Sequence, residues 1–113
     1  MKILDKVVTV DELRKLAADT FGDLMKAVVD VRRELVAVDA ELHSDLEALL
    51  LENGSKQKDL WGINFYPDLE ENDFIEFDSM INIRPSQGNM SRGVDSGETR
   101  KKVINVVNKW VKR

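Results

Sequence analysis

The sequence predicts an α+β fold: a two-layer, mainly antiparallel sheet of four strands, five if the N-terminus adds an edge, with three helices. Three observations carry this. Apolar and polar residues alternate over residues 60–66 and 73–84, the period of half-buried strands. Apolar residues recur at helical spacing over residues 10–21 and 103–111, each stretch preceded by capping residues. Finally, the order helix, two strands, helix, two strands, helix has hairpin-length connections, which favour antiparallel pairing with the helices on one face.

Taken in order, residues 1–8 suit a short edge strand. Thr9 and Glu12 have capping-box spacing, and Val8 is placed to staple onto Leu13. Val10, Leu13, Leu16, Ala17 and Phe21 form the stripe of the first helix, and Gly22 fits the left-handed position beyond it. Residues 24–33 read as a Val-rich strand and 35–40 as a second, joined at Arg33-Glu34. Ser44 and Glu47 repeat the capping-box spacing, Leu46, Leu49 and Leu50 share a helical face, and Asn53-Gly54 is a stop. A helix is assigned here, although the short apolar run 48–51 also suits a buried strand.

Residues 60–66 put Trp61, Ile63 and Phe65 on one side and Gly62, Asn64 and Tyr66 on the other, before Pro67. An acidic turn, 68–72, leads into the longest alternation. Ile75, Phe77, Ser79, Ile81 and Ile83 share one side; Glu76, Asp78, Asn82 and Arg84 share the other with Phe74 and Met80. Such a strand would run about 40 Å, so a bend or bulge is expected near Ser79. Asp95 and Glu98 cap a last helix with the stripe Val103, Ile104, Val107, Trp110 and Val111.

A chain of 113 residues suits one domain, 1–113, and its 42% hydrophobic and 34% charged residues suit a soluble globular protein. With no Cys, disulfides, thiolate nucleophiles and Cys-based metal sites are excluded. The apolar runs are too short for a membrane span or a signal peptide, so a cytoplasmic protein without membrane contact is expected. Residues 1–80 carry nine Lys/Arg and nineteen Asp/Glu, a balance of −10, whereas 81–113 carry eight and two, a balance of +6. This asymmetry suits steering of an anion or head-to-tail association of copies, and also the wet face of a C-terminal helix. Nucleic acid is disfavoured by a pI near 5.0 and by the lack of basic residues interleaved with Trp61 and Trp110.

The site is expected in RPSQGNMSRG, residues 84–93. Arg84 and Arg92 offer guanidinium forks, while Ser86, Gln87, Asn89 and Ser91 offer neutral hydrogen-bonding groups. Gly88 and Gly93 would let backbone amides approach an anion. With Asn64 and Tyr66 nearby, these residues predict a binding protein for an anionic, phosphate- or nucleotide-like small molecule. The spacing matches neither a P-loop nor a dinucleotide fingerprint, and Asp95 and Glu98 oppose a phosphate at the following helix. Two further readings stand beside it. A metal-assisted hydrolase would use His43, the only histidine, with Glu76 and Asp78; one His without Cys is thin for zinc, so neither a metal nor another cofactor is assigned. An interaction module, a homo-oligomer included, would bring the basic last helix of one copy to the acidic turn of another.

GSKQKDLWGINFYP (residues 54–67) and INIRPSQGNMSRGV (residues 81–94), with the preceding ELHSDLEALLLENG, resemble the signature of a family of small prokaryotic proteins catalogued only as a domain of unknown function. The resemblance spans nearly the whole chain. It implies no reaction, cofactor or catalytic residue, and it suggests that the two motif segments share one surface.

Overall fold

A computed structural model describes residues 1–113, the side chain of Glu71 excepted. Along the chain lie β1 (Lys2–Ile3), β2 (Val8–Thr9), α1 (Val10–Ala18), β3 (Met25–Asp30), β4 (Leu35–Val38) and α2 (His43–Glu52). Then come β5 (Leu60–Phe65), β6 (Ile75–Glu76), α3 (Gly97–Trp110) and β7 (Val111–Lys112). The main sheet runs β1-β4-β3-β5-β6 with every neighbouring pair antiparallel, while β2 and β7 pair in parallel. The α+β class, the antiparallel sheet with its N-terminal edge, and the three helices are as read from the sequence.

The distribution of the helices differs from expectation. Leu13 and Ala17 of α1 and Val103, Val106 and Val107 of α3 join Ala27, Val29, Trp61, Ile63 and Phe65 in the larger core, on one face of the sheet. Leu46 and Leu50 of α2 pack instead with Val28, Ala37 and Leu60, whose side chains point to the opposite face. The α2 helix therefore covers part of the second face and leaves the rest bare. Among the described residues no helix is long and apolar enough to cross a membrane.

Local chemistry explains the boundaries. Thr9 caps α1 by accepting from the Glu12 N–H at 3.2 Å, and Gly22 sits at φ +92° just beyond the helix. Phe21 does not continue the stripe: it lies past the helix end, 44% exposed, with Lys26 Nζ 5.2 Å from its ring centre. The first hairpin turns over residues 31–34 rather than at Arg33-Glu34 alone. Asp30 Oδ1 accepts from the Arg32 and Arg33 N–H groups at 2.9 Å each, which ends β3 three residues early. The α2 helix begins at His43 after Leu42, so Ser44 lies inside its first turn instead of capping it. Similarly Ser96, not Asp95, caps α3, accepting from the Thr99 N–H at 3.2 Å.

The largest difference concerns residues 73–84. Only Ile75–Glu76 pairs as a strand; the chain then bends, and Met80–Asn82 forms a 3₁₀ turn for which Ser79 Oγ accepts from the Ile81 N–H. Where a continuous strand would offer a peptide group to β5, the Asn82 side chain does so. Its Oδ1 accepts from the Gly62 N–H at 2.8 Å and its Nδ2 donates to the Gly62 carbonyl at 2.9 Å. The chain crosses so closely that a Cβ on Gly62 would lie 2.5 Å from Ser79 Cβ. The alternation consequently fails as a burial pattern: Phe74 is in the core, while Ile83 is 38% exposed.

Candidate functional site

The loop 84–93 uses most of its polar groups internally. Arg84 is buried, its guanidinium carbon 4.2 Å from the centre of the Trp61 ring, and it donates to the Gln57 and Leu60 carbonyls and to Gln87 Oε1. Burial lowers its pKa, against smaller opposing effects of Glu47 and Asp59. Its Nε and Glu47 Oε2 are buried without partners. Gln87 Nε2 donates to the Lys58 carbonyl. Asn89 Nδ2 donates to the carbonyls of Asn82, Ser91 and Gly93, and its Oδ1 accepts from the Asp95 N–H. Ser91 Oγ donates to Asp95, which also accepts from the Met90 N–H, and these bonds hold the Asp95 carboxyl below its usual range. Ser86 is exposed.

A different set of predicted residues converges. On the second sheet face, beside the start of α2, lies a cleft of about 340 Å³. Its floor is a row set by strand register: Lys26 on β3 faces Asn64 on β5, which faces Glu76 on β6. Asn64 Nδ2 donates to Glu76 Oε1 at 2.8 Å, and Tyr66 Oη donates to the same oxygen at 3.1 Å. Asp78 and Arg92 form an ion pair at 2.7 Å on one wall. The opposite wall is the start of α2, with His43 and Ser44 and no side-chain cap. Thus His43, Asn64, Tyr66, Glu76, Asp78 and Arg92 line one cleft, whereas Arg84, Ser86, Gln87, Asn89 and Ser91 do not.

Two buried groups define its chemistry. His43 Nε2 lies 2.8 Å from the Ile63 carbonyl, an arrangement that requires the proton on Nε2 and leaves Nδ1 as an acceptor. Burial pushes the His43 pKa below its ordinary value, opposed more weakly by the Ile63 carbonyl and, less still, by Asp78 and the neighbouring Asn64 side chain, so the ring is neutral at pH 7. Asn64 is 6% exposed, and its Oδ1 has no hydrogen-bond partner. The bond from Nδ2 to the Glu76 carboxylate fixes which end of the amide is which, since a flipped amide would set oxygen against oxygen. Tyr66 is raised, first by desolvation and then by Glu76.

Cations at Lys26 and Arg92 balance carboxylates at Glu76 and Asp78. Among the described residues no group of three or more His, Asp or Glu is placed to hold a metal ion. Lys26 and Ser44 were not anticipated. The signal for Lys26 is its position as the one cation within β3, which only the register turns into a cleft residue.

Residues 2–110 match the family described as "Protein of unknown function (DUF5674)". The chain belongs to that family. No match is found among curated proteins or solved structures. The cleft therefore has to be read from its own chemistry, and the two resembling segments contribute to it unequally. Residues 54–67 supply Asn64 and Tyr66, while residues 81–94 supply Ile81 and Arg92.

Proposed function

We propose that the protein binds a small polar metabolite in the cleft over β5 and β6, one with an anionic group and at least one N–H or O–H donor. Asn64 Oδ1 carries this reading: it is a buried acceptor with no partner. Leaving such a group empty costs about 1–3 kcal/mol, which a ligand donor would offset. The neutral His43 offers Nδ1 as a second acceptor nearby. For the anionic end there are Lys26, Arg92, Ser44 and the first turn of α2, where peptide N–H groups favour negative charge. Glu76 and Asp78 repel a bare anion, so a ligand with a donor end and an anionic end fits better than inorganic phosphate. A cytoplasmic setting is part of the proposal and directs the search to intracellular metabolites.

Thermal unfolding against a panel of amino acids, hydroxy acids, nucleotides and inorganic phosphate tests it. A ligand at a hundred times its dissociation constant adds about 2.7 kcal/mol, which raises the midpoint by roughly 10 °C in a domain of this size. The shift should vanish in Asn64→Leu and Arg92→Ala and persist in Ser86→Ala. An equal shift in Asn64→Leu would refute the site.

A further inference from the structure

The other face of β6 borders a second concavity. Ile75 lines it while Glu76, the next residue, lines the polar cleft, so the two lie back to back. This groove encloses about 900 Å³ between β6, the turn after Pro67 and α3. Its apolar surface comes from Val10, Leu69, Ile75, Phe77 and Ile104, with Leu69 48% exposed; Phe74 also borders it but is 1% exposed. Cations mark one rim. Arg100 and Lys101 stand on α3, and the Arg113 guanidinium carbon lies 4.6 Å from the Phe74 ring centre. Glu70 is the carboxylate among the described lining residues, on the far rim.

We propose that this groove binds a monomeric anionic amphiphile, a hydrocarbon tail bearing one carboxylate. The tail would cover Ile75, Phe77 and Ile104, and the carboxylate would meet Arg100 and Lys101. Charge complementarity selects the sign of the head, because among the described lining residues three cations face one carboxylate. Size selects the class of occupant. The volume lies in the range of about 300–1,000 Å³ of small-molecule sites. Thirteen described residues line the groove, fewer than the roughly 20–30 per side of a standard protein–protein interface. A concave surface is also poorly matched to a second copy of itself. The inference is independent of the polar cleft.

Calorimetric titration of the full chain with octanoate, decanoate and dodecanoate, each below its micelle concentration, tests it. Affinity should rise about fourfold per added methylene, the equivalent of ~0.8 kcal/mol. Dodecyltrimethylammonium should bind at least tenfold more weakly than dodecanoate. Ile104→Glu and the double variant Arg100→Glu/Lys101→Glu should each weaken dodecanoate binding at least tenfold while circular dichroism shows a retained fold. Should Ile104→Glu unfold, Ile104→Ala with a severalfold loss serves in its place. Asn64→Leu should leave dodecanoate binding unchanged, which separates this site from the cleft. Three results would overturn the proposal: no saturable binding of any chain length, equal affinity for the cationic amphiphile, or a concentration-dependent dimer dispersed by Leu69→Lys.

Discussion

Asn89 and Asn64 are both more than nine-tenths buried, at 4% and 6% exposure, and each belongs to a region rich in polar side chains. Asn89 is fully engaged, with three carbonyls on Nδ2 and one N–H on Oδ1. Asn64 holds Glu76 and the Asp78 carbonyl on Nδ2 and nothing on Oδ1. The first is part of a frame, the second part of an unfinished surface. A donor-rich loop is thus no guide to binding until its partners are counted, because buried polar groups are ordinarily satisfied from within.

Loss of the frame should have the largest effect. Asn89→Leu strands three carbonyls and the Asp95 N–H, and Asn82→Ala strands the Gly62 peptide inside the sheet. Each should cost about 3–4 kcal/mol in urea denaturation. A loss below about 1 kcal/mol would mean that the loop is not the internally bonded frame described. Gly62→Ala should cost about 1–3 kcal/mol through overpacking, since its Cβ would sit 2.5 Å from Ser79 Cβ. Combining it with Ser79→Gly should recover part of that loss; strict additivity would show that the two do not meet.

The sequence revealed elements governed by local rules. Thr9 at a helix start and Asn53-Gly54 at a helix end act through adjacent backbone, so their effect is visible within a few residues. It also marked Asn64, Tyr66, Glu76, Asp78, Arg92 and His43 as polar groups of interest. The alternation put Asn64, Tyr66, Glu76 and Asp78 on one sheet face, but it could not show that His43, Lys26 and Arg92 join them, which depends on the register of Lys26, Asn64 and Glu76 and on where α2 begins. Nor could it show that Arg84 turns inward onto Trp61, or that the Asn82 side chain replaces a peptide in the ladder. Both are contacts between segments more than twenty residues apart, or twenty apart, in the chain.

A smaller effect should distinguish the cleft by its pH response. The folded His43 pKa lies below the unfolded value of 6.5. Above pH 6.5 both states are neutral and the stability is complete. As the pH falls below 6.5 the unfolded chain takes up the proton first, so stability declines until the folded pKa is passed. His43→Gln, which keeps a donor for the Ile63 carbonyl, should flatten the dependence of the urea midpoint between pH 8 and 5.5. Identical slopes in the two proteins would exclude His43 as the group responsible.

The smallest effect is the most informative. Asn64→Leu removes one bond to a carboxylate that Tyr66 also serves and a longer one to the Asp78 carbonyl, and it removes a buried acceptor that had no partner. The lost bonds and the relieved desolvation oppose each other, so the change should stay within about 1 kcal/mol of zero. The same substitution at Asn89 should cost several times more. If the two asparagines proved equally expensive to replace, Asn64 would be structural like its counterpart, and the cleft would lose its claim to a ligand. If Asn64→Leu is nearly silent in stability, the side chain is held in place for something other than folding, and ligand binding is the property in which its loss should appear.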